Sequence, residues 1–225
     1  MVLINIDFDF RLLDVSLELH ALQDHLKLVE EQIAHIGKTE KIRLDALIRK
    51  EGLSPEEPDW HEAIQEHTEK IEFLLPRFLR APFLVALYAV YESAVTEVAR
   101  LMQKRQSQPI SIDDLRGDLR ERAKKYYNHI LKFKLCPNPG DWHRITMLSE
   151  LRNAIAHANG RVEMLNPVAQ RKISAWEKQK LGLSTFYGYI IIEAELANNL
   201  LEGVRSSLTD LVDRFKKWDD EQSSV

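Results

Sequence analysis

The stretch LLDVSLELHALQDHLKLVEEQIAHI, residues 12–36, decides the class of fold. Its apolar residues recur in alternating steps of three and four: Leu12, Val15, Leu19, Leu22, Leu26, Val29, Ile33 and Ile36. This spacing lines them along one stripe of an α-helix. The stripe fits packing inside a helical bundle, which is the commoner use, or a coiled-coil partner surface. The sequence thus predicts a long N-terminal helix over residues 1–50, which ends or bends at Gly37 and then resumes.

Further helices are predicted between segments rich in Gly and Pro. We expect them over residues 60–78, 83–105, 111–135, 141–158 and 190–218. The two prolines at 76 and 82 predict a kink or break, and residues 161–188 are expected to be irregular or weakly helical. The segment FYGYIIIE, residues 186–193, has the composition of a strand. Because a lone strand has no partner, we interpret it as the entry to the last helix.

This pattern predicts an all-α fold, a helical bundle with a long N-terminal and a long C-terminal helix. We expect a single domain over residues 1–225, with the bundle at 60–218. The hydrophobic fraction of 44% is enough for a sizeable core. The net charge of −4 creates no global field that attracts nucleic acid, so any contact with nucleic acid needs a local patch.

Composition also sets expectations about the compartment. The single cysteine, Cys136, excludes an internal disulfide and fits a reducing cytoplasm. The N-terminal MVLINIDFDF lacks a basic region and carries two Asp, so no signal peptide is predicted. No apolar run approaches the roughly 18 residues of a membrane span. We therefore expect a soluble cytoplasmic protein that makes no membrane contact.

A polar cluster closes one predicted helix, in LRNAIAHANG, residues 151–160. Each helical residue turns about 100°, which gives the helix an apolar core stripe: Leu148, Leu151 and Ile155. Asn153 and His157 are four residues apart and stack on the face opposite that stripe. Arg152 lies between the two faces, and the alanines leave space beside the cluster. Asn159 and Gly160 form a standard helix stop.

This cluster suits the chemistry of a phosphodiester. Histidine transfers protons near neutral pH, and the guanidinium of Arg152 matches phosphate oxygens. His157 lies in the last turn, where the helix dipole favours a cation. Asn153 can hydrogen-bond the imidazole or a substrate backbone. An ordinary structural role remains open for the same residues: a salt bridge, a helix cap and a solvated histidine.

The six residues RNAIAH resemble the R-x(4–6)-H motif of the HEPN superfamily, all-helical proteins that include many metal-independent RNases. Members often carry Asn directly after the Arg, as Asn153 does here. LVALYAVYESAV resembles the apolar, Glu-containing helix that precedes the motif, and a loop and a long closing helix follow in the expected order. The similarity covers residues of about 60–218, although only the motif is specific.

The resemblance implies an endoribonuclease that needs no metal and no cofactor. It also implies a symmetric homodimer in which Arg152 and His157 of both copies line one cleft, and RNA as the substrate. The 2′-hydroxyl then attacks the adjacent phosphate, with a 2′,3′-cyclic phosphate and a 5′-hydroxyl as products. The family context implies a toxin–antitoxin or phage-defence role, restrained by an antitoxin or regulatory protein. The alternative is a non-catalytic helical module that binds a protein partner.

Two further sets of residues leave alternatives open. Glu92 is the one acidic residue of LVALYAVYESAV, so it is either a structural partner for an Arg or a supporting group behind the site. The segment from Lys124 to Lys132 contains basic side chains together with Tyr126 and Tyr127. It suits RNA contact, or a solvated face with tyrosines in the core.

Overall fold

A computed structural model describes residues 10–223. Helices make up 79% of the chain, which confirms the all-α class. The α-helices are α1 (Phe10–Glu51), α2 (Pro58–Thr68), α3 (Leu75–Arg105), α4 (Leu119–Lys125), α5 (Pro139–Ala158), α6 (Pro167–Lys178) and α7 (Ala194–Ser223). Two strands, β1 (Leu183–Phe186) and β2 (Tyr189–Ile192), form a small sheet. The expectation about a signal peptide concerns residues outside the described part, and the Leu12 side chain is not described either.

The N-terminal helix is continuous over 42 residues. Helix continues through Gly37, so of the predicted end or bend there, the end was wrong. Four side chains of the apolar stripe are buried: Val15, Leu19, Leu26 and Val29. Leu22, Ile33 and Ile36 are only half-buried. The first half of the stripe is therefore core, as the bundle interpretation predicts.

The predicted break at residues 76–82 is absent, because helix continues from Pro58 to Arg105. A six-residue π-helix, Glu69–Leu74, joins α2 to α3, and the amide of Leu75 donates to the carbonyl of Lys70, five residues back. In this wider turn the hydrogen bonds span five residues instead of four. The change comes just before Pro76, which has no amide hydrogen to donate. The prolines are thus accommodated within the helix instead of ending it.

The α3 helix is more apolar than expected, because no apolar run of membrane-spanning length was predicted in the sequence. The stretch Pro58–Arg105 contains an 18-residue window of mean hydropathy 1.5, long and apolar enough by composition to cross a membrane. In the structure 39% of that window is buried. Its most deeply buried side chains recur at helical spacing: Leu84, Leu87, Tyr91, Val95, Val98 and Met102. A core helix with one wholly buried face has this same composition.

The region from Ser111 to Leu135 is less helical than predicted. A single 3-10 turn, Ile112–Asp114, follows Ser111, and Gly117 adopts a φ of 115°. Helix then restarts at Leu119, where the side chain of Asp118 accepts a hydrogen bond from the amide of Glu121. A short π-helix, Tyr126–Ile130, ends it. The glycine conformation explains the interruption, since only glycine adopts it at low cost.

A β-hairpin occupies the segment predicted to enter the last helix. Leu183–Phe186 is the missing partner strand, with Phe186 opposite Tyr189 and Leu183 opposite Ile192. The two-residue connection has Tyr187 at φ 48° and Gly188 at φ 76°, as a type I′ turn requires. The preceding region also holds the regular helix α6, which the sequence analysis missed.

Contacts divide the chain into two compact units, each assembled from separate segments. Unit 1 contains the described residues of Met1–Gln23, Leu87–Ser149 and Leu201–Val225. Unit 2 contains Asp24–Ala86 and Glu150–Leu200.

A buried hydroxyl and a buried carboxylate form hydrogen bonds inside unit 1. The Tyr127 hydroxyl donates to the carbonyl of Val95 at 2.7 Å. The buried carboxylate of Asp141 accepts hydrogen bonds from Ser206 at 2.7 Å and Arg144 at 2.9 Å. Because buried polar groups are costly unless paired, these bonds specify how α3, α5 and α7 pack within the unit.

An arginine joins three elements of unit 2. The guanidinium of Arg80, on α3, donates to both carboxylate oxygens of Glu30 on α1, at 2.6 and 2.7 Å. It also donates to the carbonyl of Ile192 on β2 at 3.1 Å. Phe73 packs its ring 5.4 Å from that of Phe186, between centroids. The hairpin is thereby held to the helices of this unit.

Candidate functional site

The predicted site lies in the last two turns of α5, in unit 2. The buried face of these turns consists of Leu151, Ala154 and Ala158, all at most 5% exposed. Ile155 is only half-buried, so its assignment to the core stripe was wrong; the stripe runs through the alanines instead. The small side chains of Ala154 and Ala158 let the helix pack closely against its neighbours.

The three site residues lie on the half of the helix away from that buried face. Arg152 and Asn153 are half-buried, and His157 is exposed. The guanidinium Nη1 of Arg152 donates to Oδ1 of Asn153 at 2.9 Å. The amide oxygen of Asn153 therefore accepts from the arginine, a bond that the spacing of the residues did not predict. Within residues 10–223 no side chain hydrogen-bonds His157, which leaves both ring nitrogens open to solvent.

The helix ends directly after His157. Asn159 and Gly160 take left-handed conformations, with φ of 50° and 74°, which confirms the predicted stop. The amide of Gly160 donates to the carbonyl of Ala154 at 3.0 Å, and its carbonyl accepts from the amide of Ile190 at 2.9 Å. The hairpin thus fixes the end of the helix that carries the site.

An arginine that the sequence analysis did not single out supports this helix end. Arg77 donates to the carbonyl of Asn159 at 3.1 Å. Its guanidinium lies 4.1 Å from the centre of the Tyr189 ring, and Arg161 donates to the hydroxyl of that tyrosine at 2.6 Å. A cation at a helix C-terminus is favoured by the dipole. The Gly188 turn, between the aromatic residues Phe186 and Tyr189, is the sequence feature from which the hairpin could have been predicted.

The other candidates lie in unit 1. Glu92, on α3, is half-buried and already engaged in an interaction within the fold. Tyr126 and Tyr127 are buried completely, and burial raises the pKa of both phenols. The interpretation that places these tyrosines in the core is therefore confirmed. Lys124 and Lys132 remain exposed.

The arrangement in unit 2 offers proton transfer and anion binding. His157 supplies an accessible imidazole, and Arg152 supplies a guanidinium oriented by Asn153. Over residues 10–223, no three side chains of His, Cys, Asp or Glu converge as metal ligands.

No protein-family model, curated protein or solved structure matches this chain. The helices and the small hairpin define the class, an all-α protein with a polar cluster at the end of α5. Its function then rests on the chemistry of its own side chains.

Proposed function

We propose that this protein is a metal-independent endoribonuclease of HEPN type. The observation that carries the proposal is the exposed imidazole of His157 on the same half of α5 as the bonded pair Arg152 and Asn153. Four residues along a helix amount to about 6 Å, so His157 and Asn153 lie within the span of one phosphodiester. The resemblance of RNAIAH to the R-x(4–6)-H motif supports the same assignment.

The proposed reaction needs a base, an acid and a cation. His157 of one copy takes the proton of the ribose 2′-hydroxyl, whose oxygen attacks the adjacent phosphorus. The O2′–P bond forms, the P–O5′ bond breaks, and an imidazolium gives its proton to the leaving 5′-oxygen. Arg152 pairs with the non-bridging oxygens, where negative charge grows. The products are a 2′,3′-cyclic phosphate and a 5′-hydroxyl.

A second copy of the chain completes this site. Each α5 offers one histidine in the cluster, whereas the reaction uses a base at one end of the phosphate and an acid at the other. The partner subunit's His157 supplies the acid, so the proposed enzyme is a homodimer in the cytoplasm. The toxin–antitoxin or phage-defence role, and restraint by an antitoxin or regulatory protein, belong to the same proposal.

Chelation tests the independence from metal. The cluster consists of an imidazole, a guanidinium and an amide, and it lacks the carboxylate through which proteins usually hold Mg²⁺. We expect cleavage of a fluorogenic RNA at an unchanged rate in excess EDTA, with RNase A as the metal-independent control. Loss of cleavage in EDTA, with recovery on adding Mg²⁺ or Mn²⁺, would refute the proposed mechanism.

The mass in solution tests the shared site. We expect light scattering to give twice the chain mass of 26.2 kDa at micromolar concentration. Because each site takes a histidine from both copies, specific activity should fall as dilution separates them. A monomer with full activity contradicts the two-copy mechanism.

A non-catalytic interaction module is the second candidate. The exposed apolar side chains along α1 favour it: Leu17, Leu28, Ile42 and Leu47 are 44–68% exposed. Such residues suit a helical protein partner. The two candidates differ in one readout, because an interaction module leaves the RNA intact in the EDTA assay.

A further inference from the structure

The last turn of α5 carries His157 where helices are ordinarily least ordered. His157 is next to Ala158, the final residue of the helix. Carbonyls in a last turn have no amide partners within the helix, and such turns fray unless other groups bind them. Proton transfer tolerates a misplacement of the reacting group of less than about 1 Å. The position of the imidazole therefore depends on the groups that hold this turn from outside the helix.

The hairpin holds the backbone just beyond the helix. The carbonyl of Gly160 accepts a hydrogen bond from the amide of Ile190 at 2.9 Å. The amide of Val162 donates to the carbonyl of Gly188, also at 2.9 Å. Asn159 lies between the end of the helix and these two bonds. Its carbonyl is bound by a side chain instead, and that side chain comes from another helix.

Arg77 on α3 is this side chain. Its Nη2 donates to the carbonyl oxygen of Asn159 at 3.1 Å, across 82 residues of sequence. The same guanidinium places a positive charge at the C-terminal end of α5, where the helix dipole is negative. One side chain thus supplies both the donor and the charge that stabilise a helix C-terminus.

Aromatic rings fix the guanidinium of Arg77 in place. Its central carbon lies 4.1 Å from the ring centre of Tyr189, 5.0 Å from that of Phe78 and 5.6 Å from that of Phe73. The Tyr189 ring is itself held, because its hydroxyl accepts from Nε of Arg161 at 2.6 Å. A planar guanidinium stacks on such rings, whereas the ammonium of a lysine does not lie flat against them.

We propose that Arg77 is a positioning residue for the nuclease site. It acts through the carbonyl of Asn159, which fixes the turn that carries His157. Its guanidinium is engaged by that carbonyl and by the rings, so the phosphate of the substrate remains with Arg152. The inference rests on the nuclease function proposed above and assigns a further residue to the same site.

Steady-state kinetics of the full-length protein test this role. Arg77→Gln should lower kcat for a fluorogenic RNA by at least about tenfold and change KM by less than about threefold, because a reacting group is misplaced and no substrate contact is lost. Arg77→Lys keeps a donor and the charge without the stacking, so its kcat should lie between those of wild type and Arg77→Gln. A higher KM with unchanged kcat would assign Arg77 to substrate binding and overturn the proposal.

Arg49→Gln is the matched control. Arg49 is exposed on α1, and its Nε donates to the backbone carbonyl of Asp45 at 3.0 Å. The control removes the same charge and the same kind of bond elsewhere in unit 2. Both kinetic constants should stay within about twofold of wild type. Equal losses in the two variants would make the effect one of charge and would overturn the proposal. Melting curves check that every variant is folded at the assay temperature.

A double-mutant cycle separates positioning from a general effect on the fold. If Arg77 acts through His157, then Arg77→Gln should lower the rate by less than about twofold when it is added to His157→Ala. A change in the folded fraction or in substrate binding lowers the rate by the same factor in both backgrounds. Equal factors would therefore overturn the proposal.

Amide hydrogen exchange measures the helix end without RNA. The amides of Gly160 and Arg161 donate to carbonyls of α5 at 3.0 and 2.9 Å, and they close its last turn. In Arg77→Gln these two amides should exchange at least about fivefold faster than in wild type, because the turn opens more often. In Arg49→Gln they should exchange at the wild-type rate. Unchanged exchange in Arg77→Gln would contradict the holding role.

The two measurements distinguish failure of this inference from failure of the nuclease proposal. A wild-type protein that cleaves no RNA refutes the proposed function, and with it the catalytic consequence of Arg77, whatever the exchange rates are. An active wild type whose Arg77→Gln variant keeps its kcat and its exchange rates refutes the positioning role alone and leaves the nuclease.

Discussion

Replacing His157 by Ala should lower the rate of RNA cleavage by about 10²-fold or more, as loss of a general acid–base group does. The same change should leave the free energy of unfolding within about 0.5 kcal/mol of wild type, because the side chain is exposed and makes no hydrogen bond to residues 10–223. Initial rates on a fluorogenic RNA and thermal melting curves, on the same preparation, measure both quantities.

A second histidine provides the control for this experiment. His35 is exposed on α1, so His35→Ala removes an imidazole at a place without the arginine and asparagine neighbours. Its cleavage rate should equal that of wild type. If His157→Ala cuts RNA as fast as His35→Ala, the histidine takes no part in the reaction and the nuclease proposal fails.

Arg152 differs from His157 in its ties to the fold. It is half-buried and donates to Asn153, so Arg152→Ala also leaves the amide oxygen of Asn153 without that donor. Loss of such a bond costs about 1 kcal/mol. His157→Ala therefore tests catalysis with less effect on folding than Arg152→Ala. The spacing of the motif alone did not predict this difference.

The helical class followed from the sequence because periodic apolar residues determine which face is buried. The stripe from Val15 to Val29 predicted α1, and Leu151 was correctly assigned to the core. The end of α5 was predicted because Asn159 and Gly160 adopt a conformation that other residues rarely take. Both features are local, because each depends on residues within one or two helical turns of one another.

The errors came from longer-range effects. The strand β2 was rejected for lack of a partner, yet the partner Leu183–Phe186 is separated from it by only two residues and lies in a region predicted to be irregular or weakly helical. Burial decreases along this strand from Leu183 to Phe186 and does not alternate, so periodicity gave little indication of it. Similarly, the prolines at 76 and 82 predicted a kink or break, and the helix continues through both, with a π-helix just before Pro76. Neither tertiary pairing nor a change of helical register can be seen in apolar spacing.

Only part of the candidate site followed from the spacing of RNAIAH. Spacing placed the polar residues on the outer half of α5, and burial agrees with this placement. It did not predict the bond from Arg152 to Asn153, since neighbours along a helix were judged by face alone whereas a long arginine side chain reaches its adjacent residue. The Arg77 contact with the helix end joins residues 82 apart in sequence, a separation at which spacing carries no information.

Replacing Leu151 by Ala should cause a large loss of stability in the helix that carries the site. Leu151 is fully buried, with 0% exposure, and lies next to Arg152. Truncation of such a leucine removes buried apolar surface and leaves a cavity, at a cost of about 2–5 kcal/mol. For a chain of 225 residues, each kcal/mol corresponds to a fall in Tm of roughly 2–4 °C. Calorimetry or circular dichroism measures the shift.

Ile155→Ala is the matched comparison, since it truncates an aliphatic residue one turn further along the same helix. Ile155 is half-buried, so less surface is lost and the cost should be clearly smaller than at Leu151. If Ile155→Ala destabilises the protein as much as Leu151→Ala, another surface covers Ile155 in solution, as it would in a dimer that packs α5 against its copy. Below its melting transition, Leu151→Ala should still cleave RNA, because the imidazole and guanidinium are retained. We expect the reverse pattern from His157→Ala, nearly full stability with cleavage lowered by about 10²-fold, and only a site distinct from the core gives both results.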